Sequence, residues 1–316
     1  MQAAILQAPR KFTLEERPTP EIRGDEILVK TRASGICTSE LDMWQGKAVG
    51  LEFPRFIGHE PAGVVEAVGS DVSSIRPGDH VAVWSEGKAY AEYFAAKEAH
   101  AYKLKGGIPF DHALGEPIAC AVNGVRKANV QLNDKVCIVG CGFMGLIMVQ
   151  VFNASGAGMV IAVDTRDSIL ELARGVGATH TVNSKSVDPR TAIKELTDGK
   201  GVDIGVEGAG NQQTLDLTAD LVRMEGKLEV FGYHQGEPRR VNWGYWNWMA
   251  FQIINGHTRS GSVYVEGMKI GLQLLEAGKL DMNSLVTHRF ALHEINRAFE
   301  IASSKQEGFV KGVITF

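Results

Sequence analysis

Cysteine is scarce in this chain, with four in 316 residues. The four are Cys37, Cys120, Cys137 and Cys141. They are too few and too scattered to form the disulfide framework of a small secreted protein, so we expect a reducing, cytoplasmic setting. Long apolar runs are also missing, so we expect no membrane span. Because Arg10 and Lys11 interrupt the N-terminal segment early, we expect no signal peptide either.

Clusters of one charge are missing as well. The chain has 33 lysines and arginines against 37 aspartates and glutamates, a net charge of −4 at pH 7, and no basic run stands out. We therefore expect no nucleic-acid partner. With 44% hydrophobic and 22% charged residues, the composition is that of an ordinary soluble protein, and 316 residues suit two domains.

The most informative stretch is a glycine-rich turn. Four apolar residues of a predicted strand lead into Gly140-x-Gly142-x-x-Gly145, and an apolar helix follows. In a dinucleotide-binding turn, the three glycines allow a tight turn, a close backbone approach to a pyrophosphate, and close packing of the helix on the strand. The alternative is an ordinary glycine turn. The strand-turn-helix context favours a cofactor site that also includes Phe143 and Met144.

An acid follows this turn at the spacing that a ribose contact needs. Asp164 ends the next apolar run, 19 residues after Gly145. An acid at that distance accepts the ribose hydroxyls of NAD and repels the extra phosphate of NADP. Arg166 lies two residues further on and softens that repulsion. The pattern therefore predicts NAD as the preferred cofactor, with both side chains at its site.

The chain changes texture near residue 110. Before that point, short strands bounded by turn residues indicate a compact, barrel-like domain. From about residue 135 onward, strands and helices alternate, which predicts a parallel sheet. The six predicted strands are 135–139, 159–164, 180–183, 202–207, 227–231 and 258–262. The predicted division is a first domain over 1–123, a second over 124–262, and a return to the first over 263–316.

Three motifs carry possible metal ligands. Cys37 follows a predicted strand, His59-Glu60 comes 22 residues later, and Glu116 opens a predicted helix. Thiolate, imidazole and carboxylate are all zinc ligands, and a catalytic zinc site has three protein ligands and an open position. Taken singly, Cys37 could be a small buried hydrophobe, His59 a hydrogen-bonded core histidine, and Glu116 a first-turn acid favoured by the helix dipole. The spacing alone leaves both interpretations open.

Together the motifs resemble the zinc-dependent medium-chain alcohol dehydrogenase family, in its sorbitol and threonine dehydrogenase branch. The resemblance covers essentially the whole chain. Its segments are Gly35-Ile36-Cys37-x-Ser39, Gly58-His59-Glu60-x-x-Gly63-x-Val65, Gly78-Asp79-x-Val81, Gly115-Glu116-Pro117, the glycine turn, Gly177-Ala178-Thr179-His180, Val202-Asp203-x-x-x-Glu207 and Thr287-His288-Arg289-Phe290. The resemblance implies an α/β fold, with a GroES-like β-rich catalytic domain and a Rossmann domain built on a doubly wound parallel sheet.

The resemblance also implies roles for the polar motifs. It places Cys37, His59 and Glu60 at a catalytic zinc. Glu116 would be a fourth ligand or hold the zinc-bound water. Ser39 matches the hydroxyl that passes the substrate proton outward.

Further positions follow from the same resemblance. Many relatives have a histidine three residues after the relay hydroxyl, where this chain has Asp42, which can still accept a proton. Gly208, Gly232 and Arg289 fall at positions that line the cofactor in the family.

Two segments depart from the family pattern. Larger members carry a four-cysteine lobe for a structural zinc, but Val83–Ala89 bridges that region without a cysteine, so we expect one zinc per chain. Gly236–Met249 is crowded with arginine and tryptophan: Arg239, Arg240, Trp243, Trp246 and Trp248. This segment is either a packing or subunit-contact segment, which we favour, or a substrate wall whose aromatic faces pack against sugar carbons.

The sequence thus favours an NAD-dependent zinc alcohol dehydrogenase. Its small-molecule substrate would be a secondary alcohol, with a polyol or a cyclic sugar alcohol as the leading candidate. We expect a homodimer or homotetramer without membrane or nucleic-acid partners. The alternatives are a zinc-free quinone or enone reductase of the same superfamily, and a non-catalytic cofactor-binding protein on this fold.

Overall fold

A computed structural model of the chain describes residues 1–48 and 50–316. The chain divides into two compact units. The first unit contains Met1–Ala119, Tyr264–Glu276 and Met282–Phe316, and the second contains Cys120–Val263 and Ala277–Asp281. Each unit has its own sheet and its own buried core, so each is described separately.

The first unit is β-rich. Its strands are β1 (Gln2–Ala8), β2 (Lys11–Glu16), β3 (Glu26–Gly35), β4 (Pro61–Val68), β5 (His80–Val83), β6 (Tyr93–Lys97), β7 (Ala101–Lys103), β14 (Val286–Ala291) and β15 (Lys311–Thr315). β1 and β2 form a hairpin, and the other seven form a sheet in the order β14-β15-β3-β4-β5-β7, with β6 also paired to β3. Pairing of β15 with β3 brings the last residues of the chain beside Gly35.

Helices pack on this sheet. They are α1 (Thr38–Trp44), α9 (Ile295–Ser304) and parts of α2 (Gly115–Ala128) and α8 (Gly261–Glu276). Trp44 and Tyr90 are buried in one core cluster together with Phe299 of α9. Burying large aromatic side chains contributes strongly to stability, so this cluster fixes α1, and the segment before it, against the sheet.

The second unit is a parallel sheet with helices between its strands. The strands are β8 (Lys135–Val139), β9 (Met159–Asp164), β10 (His180–Asn183), β11 (Val202–Glu207), β12 (Val222–Val230) and β13 (Gln252–Asn255). The intervening helices are α3 (Phe143–Ala154), α4 (Asp167–Gly175), α5 (Pro189–Leu196), α6 (Gln212–Leu221) and α7 (Trp243–Trp248). The sheet order is β10-β9-β8-β11-β12-β13, the 3-2-1-4-5-6 order of a doubly wound dinucleotide fold.

One strand prediction is wrong. Residues 258–262 do not form the sixth strand; Gln252–Asn255 does, paired in parallel with Lys227–Val230 of β12. Thr258 and Ser260 make local side-chain hydrogen bonds instead, and α8 begins at Gly261. Short hydroxyl side chains compete with a strand ladder in this way, and residues 258–262, Thr-Arg-Ser-Gly-Ser, have no apolar alternation that would favour a strand.

The other five predicted strands are present, although β12 begins at Val222 rather than at residue 227. Among the described residues, no helix is long and apolar enough to cross a bilayer.

Candidate active site

Three side chains of the first unit meet at the ends of two paired strands. Cys37 follows β3, and His59 and Glu60 immediately precede β4. Because β3 and β4 are antiparallel and Ser34 pairs with Pro61, the end of one strand lies beside the start of the other. One possible ligand atom from each of Cys37, His59 and Glu60 lies within 4.8 Å of the others. Among the described residues, these three form the one cluster of histidine, cysteine or acidic side chains that is large enough to hold a metal ion.

The donor set fits zinc. A thiolate, an imidazole and a carboxylate are ligand types that catalytic zinc sites combine, leaving a fourth position for water or substrate. The structure therefore brings together three of the four sequence-predicted ligands, Cys37, His59 and Glu60. Glu116 lies half-buried in the first turn of α2 and is outside this group, so its part in the site stays a prediction.

A buried acid supports the histidine. The Nδ1 atom of His59 lies 2.8 Å from Oε1 of Glu40, which is 1% exposed. This contact leaves Nε2 of His59 available to bind a metal, in the carboxylate–histidine arrangement common behind metal sites. Glu40 also accepts hydrogen bonds from the Gly58 N–H, the Tyr90 hydroxyl and the Cys37 N–H. Glu40 was not among the predicted site residues.

His59 and Glu40 shift each other's pKa in opposite directions. Burial acts to lower the pKa of His59, but the nearby Glu40 and Cys37 outweigh it and raise that pKa well above its usual value. Burial acts to raise the pKa of Glu40, but His59, with the hydrogen bonds from Tyr90 and the Cys37 N–H, lowers it. The cluster therefore favours positive charge at the His59 ring, where a metal cation can take the place of a proton.

The Glu60 carboxylate has its own buried counter-charge. Lys311 Nζ lies 2.9 Å from Oε1 and 2.6 Å from Oε2 of Glu60, and Nζ also donates to the Ile36 carbonyl at 2.9 Å. Glu60 and Lys311 are 1% and 4% exposed. A Cβ on Gly35 would lie 1.9 Å from Glu60 Oε2, so a side chain there would displace the Glu60 carboxylate. Lys311 therefore balances the charge of this ligand from the far end of the chain.

The predicted proton relay begins beside the cluster. The Ser39 hydroxyl donates to Cys37 Sγ at 3.3 Å. Asp42 follows three residues later on α1, on the same side of the helix, and is half-buried. This contact places the Ser39 hydroxyl beside one of the candidate ligand atoms. The step from Ser39 to Asp42 stays a prediction.

In the second unit, the glycine turn has the backbone geometry of a close-packed turn. Gly140 has φ +94°, a conformation that favours glycine, and a Cβ there would lie 2.8 Å from the Ala209 nitrogen. A Cβ on Gly145 would lie 2.5 Å from the Gly140 carbonyl oxygen, whereas one on Gly142 would meet nothing within 4 Å. The open space at Gly142 is where a ligand can approach the backbone at the start of α3.

Asp164 lies at the end of β9, next to this turn. Its Oδ2 accepts from the Cys141 N–H at 3.0 Å, and its Oδ1 accepts from the Thr165 N–H at 2.8 Å. Arg166 forms a bidentate pair with it, with Nε at 3.0 Å from Oδ1 and a terminal nitrogen at 3.2 Å from Oδ2. Arg166 must therefore swing away before Asp164 can accept two ribose hydroxyls.

The remaining predicted cofactor residues fall in both units. Gly208 follows β11 and lies beside the glycine turn, and Gly232 follows β12 and lies beside Gly210. Arg289 lies in the first unit, where its guanidinium donates to Asp111 at 2.5 Å and to the Val286 carbonyl at 3.2 Å. The cofactor role of these residues stays a prediction.

The tryptophan-rich segment divides into buried and exposed parts. Trp246 is 6% exposed and packs in the core of the second unit, in ring contact with Phe251. Trp243 and Trp248 are 64% and 75% exposed. Packing therefore accounts for one of the three tryptophans and leaves the other two on the surface of this chain.

Family models match most of the chain. Residues 23–108 match the alcohol dehydrogenase GroES-like domain, and residues 144–269 match the zinc-binding dehydrogenase model. The sorbitol dehydrogenase of Bacillus subtilis (strain 168) is 30% identical, over 96% of this chain and 93% of that protein. The chain belongs to the zinc-type medium-chain alcohol dehydrogenase family. This confirms the predicted family and fold class.

Other relatives agree. An L-threonine 3-dehydrogenase of Bacillus velezensis is 27% identical, over 97% of both chains. The crystal structure of benzyl alcohol dehydrogenase from Acinetobacter calcoaceticus has a TM-score of 0.87 and 27% identity, over 100% of this chain and 99% of that one. Galactitol-1-phosphate dehydrogenase from Escherichia coli has a TM-score of 0.90 at 24% identity and full coverage of both chains, and shows the fold alone. The family and these relatives indicate an alcohol oxidoreductase.

Proposed function

We propose that this protein is an NAD-dependent zinc alcohol dehydrogenase that transfers a hydride between a secondary alcohol and the nicotinamide ring. The observation that carries the proposal is the convergence of Cys37, His59 and Glu60 within 4.8 Å, with the Ser39 hydroxyl on the thiol sulfur. A zinc-free reductase or a non-catalytic protein on this fold has no need for such a donor set beside a hydroxyl.

The residues of the first unit hold the metal and move a proton. Cys37, His59 and Glu60 bind one zinc ion, with Glu116 as a fourth ligand or as the holder of a water molecule. A bound zinc ion supplies Lewis-acid activation of an alcohol oxygen. The Ser39 hydroxyl accepts the proton of the substrate alcohol and passes its own toward Asp42 and solvent, since a hydroxyl both accepts and donates.

The second unit holds the cofactor. The glycine turn, including Phe143 and Met144, would hold the pyrophosphate of NAD, and Asp164 would accept the ribose hydroxyls with Arg166 moved aside. Gly208, Gly232 and Arg289 are the further cofactor residues of this proposal. The nicotinamide carries the redox chemistry, and the protein positions the alcohol carbon against it and excludes water.

The substrate in this proposal is a polyol or a cyclic sugar alcohol. The names of the relatives support it: besides the sorbitol dehydrogenase, the D-xylulose reductase A of Aspergillus oryzae is 28% identical over 95% of this chain. We also place the protein in the cytoplasm; all four cysteines fall in the described part of the chain, and none is in a disulfide.

Self-association belongs to the proposal as well. β13 is an edge strand of the second unit, and Ile253 on it is 44% exposed. Trp248, five residues before Ile253, is 75% exposed, and Met224, near the start of the neighbouring strand β12, is 51% exposed. An edge strand with exposed apolar side chains needs a cover, and a second copy pairing edge to edge supplies one. Light scattering should therefore give a dimer or tetramer, and Ile253→Lys should give a smaller species.

The experiment that tests the proposal is a turnover assay of zinc-loaded protein with NAD and a panel of secondary alcohols, run in parallel with a chelator-treated sample. We expect NADH formation from at least one polyol and its loss on zinc removal. Activity toward quinones or enones that survives zinc removal would favour the zinc-free reductase instead.

A further inference from the structure

A buried acid links two loops at the cofactor edge of the second unit. Glu207 ends β11 and is 0% exposed. Its Oε1 accepts from the Ala209 N–H at 2.9 Å, the Gly210 N–H at 2.7 Å and the Thr214 hydroxyl at 2.6 Å. Its Oε2 lies 2.7 Å from His234 Nε2, in the loop after β12. One carboxylate thus binds groups from two consecutive loops of the sheet.

The turn that this carboxylate holds packs directly against the glycine turn. The Gly208 N–H donates to the Val139 carbonyl at 2.8 Å, and a Cβ on Gly208 would lie 2.8 Å from the Gly140 oxygen. A Cβ on Gly140 would in turn lie 2.8 Å from the Ala209 nitrogen. Because the turns leave no room for a methyl group between them, a shift at residues 208–210 moves the backbone of Gly140.

The proton on His234 has one possible place. Arg239 Nε donates to His234 Nδ1 at 3.2 Å. A guanidinium is always protonated and only donates, so Nδ1 must carry the lone pair. Nε2 then carries the proton and donates it to Glu207. The imidazole is therefore the neutral Nε2–H tautomer, set between a carboxylate and a guanidinium.

Arg239 is itself anchored by backbone. Its guanidinium donates to the carbonyls of Gly210 at 3.2 Å, Gln235 at 3.0 Å and Glu237 at 2.5 Å. The contact with Gly210 closes a ring, because the Gly210 N–H already binds Glu207. Each of the three guanidinium nitrogens of Arg239 thus donates at least one hydrogen bond within the loops, so the side chain supports them.

We propose that His234, fixed in its Nε2–H tautomer by Arg239, is a positioning residue for the dinucleotide. His234 hydrogen-bonds the Glu207 carboxylate, and that carboxylate fixes the turn at residues 208–210. This turn keeps the backbone of Gly140 in the position that cofactor binding requires. The inference rests on the proposed binding of NAD. It gives Arg239, in the segment 236–249, a role that is separate from subunit contact and from a substrate wall.

Two isosteric variants separate the two hydrogen bonds of His234. His234→Gln places an amide nitrogen near the position of Nε2 and keeps the donor to Glu207. His234→Asn places its amide near Nδ1, so it can accept from Arg239 but falls short of Glu207. By NADH fluorescence titration we expect His234→Asn to weaken binding about ten- to a hundredfold, the range for losing a hydrogen bond to a charged group, and His234→Gln to stay within about threefold.

The readout of that pair distinguishes positioning from general damage. Both variants lose one hydrogen bond of the ring, so a merely structural role predicts similar losses of NADH affinity in both. Equal weakening in the two variants, or none in either, would overturn the proposal. If the wild-type protein binds no NADH, the proposed function fails as well.

The tautomer can be measured without any cofactor. In a long-range nitrogen–proton spectrum of histidine-labelled protein, we expect His234 as the neutral Nε2–H form, and we expect Arg239→Met to remove that fixed preference. Arg240→Met is the matched control, since Arg240 is the exposed neighbour, and it should leave the spectrum unchanged. An Nδ1–H ring or an imidazolium in the wild type would overturn the network while leaving the proposed NAD binding intact.

Discussion

In the first unit, the candidate metal site is made of side chains, and two of its three residues, His59 and Glu60, have a buried charged partner. Glu40 lies behind His59, and Lys311 lies beside Glu60. In the second unit, the glycine turn is made of backbone and has no room for a side chain at Gly145: a Cβ there would lie 2.5 Å from the Gly140 oxygen. The first site thus depends on which atoms are present, and the second on which atoms are absent.

This difference determines how each site should fail. Removing one side chain of the candidate metal site leaves a buried charge without its partner or the metal without one of its ligands, so catalysis should stop. Substituting a side chain around the glycine turn should alter the position of the turn or the selectivity for the cofactor, because the backbone that forms the turn remains in place. The substitutions below test that contrast.

The largest effect is expected for Cys37→Ser. A serine hydroxyl is a poor zinc ligand beside an imidazole and a carboxylate, so zinc content and turnover should fall to background while the far-ultraviolet circular dichroism is retained. Cys120→Ser, at a half-buried cysteine of the second unit, is the matched control and should keep its zinc. A fully active Cys37→Ser protein would rule out the metal site.

The next effect is expected for Ser39→Ala. General acid–base assistance is worth roughly 100- to 10,000-fold, so kcat should fall in that range while zinc content and NADH affinity stay near those of the wild type. Ser39→Thr retains a hydroxyl and should recover most of the rate. If Ser39→Ala runs at full speed, the proton leaves by another path. Asp42→Asn should do less, because water can replace a terminal acceptor.

Glu229 tests the second unit through its pH dependence. Glu229 is 0% exposed, and neither oxygen has a hydrogen-bond partner in the described structure. Burial raises the pKa of this carboxyl from 4.5 to about 8, and only Lys127 of α2 acts against it. A Cβ on Gly124 or Gly256 would lie 2.9 or 2.6 Å from Oε1, so two glycines make the space. His257, whose pKa burial lowers, is the titratable group on the adjoining loop.

The sign follows from the raised pKa of Glu229. The folded state holds the proton more tightly than the unfolded state, so stability is fully present below pH 4.5 and is lost as the pH rises through about 8. The loss has an upper bound of about 5 kcal/mol, at about 1.4 kcal/mol per pKa unit. Glu229→Gln should remove this slope in chemical denaturation between pH 5 and 8. An identical slope in both proteins would contradict the assignment.

Lys311→Met tests the buried ion pair of the metal site. Removing one partner leaves Glu60 charged and buried, which costs about 3–5 kcal/mol of unfolding free energy, and zinc retention should fall as well. Lys305→Met, at an exposed lysine, should change the unfolding free energy by less than about 0.5 kcal/mol. An unchanged denaturation midpoint for Lys311→Met would show that Glu60 does not depend on its partner.

The smallest effect is expected at Arg166. We expect the wild type to use NAD more efficiently than NADP, because Asp164 repels the extra phosphate. Arg166→Ala should widen that preference about two- to fivefold, the scale of a half-exposed ion pair. Arg174→Ala, on the exposed side of α4, is the control. Equal kcat/KM for both cofactors in the wild type would overturn the assignment.

The sequence predicted the residues that occur in contiguous motifs. Cys37, His59-Glu60 and the glycine turn stand in short segments whose spacing carries the chemistry, and five of the six strands of the second unit follow from alternating texture. The sixth was misplaced: residues 258–262 are polar or glycine, whereas the apolar pair Ile253-Ile254 lies in the strand that forms. The residues that pair with the candidate ligands, Glu40 and Lys311, were not predicted, because their pairing depends on the folded chain. Glu60, for example, contacts Lys311, which lies 251 positions away in sequence.

The acids of the second unit show the same limit. Glu207 and Glu229 both lie on strands whose pattern reads as ordinary, and both are 0% exposed. One is surrounded by donors and the other by glycines and a phenylalanine ring, and only the three-dimensional neighbours separate them. A sequence pattern indicates which face of a strand is buried, but not which groups contact the side chains on that face.

X-ray absorption at the zinc edge tests the central claim most directly. On zinc-loaded protein, we expect about one zinc per chain, bound by one sulfur at about 2.3 Å and by nitrogen and oxygen ligands at about 2.0–2.2 Å. That signature matches one cysteine, one histidine and one or two carboxylates. A shell of four sulfurs, a shell without sulfur, or no bound zinc would contradict the assignment of Cys37, His59 and Glu60 as the metal site.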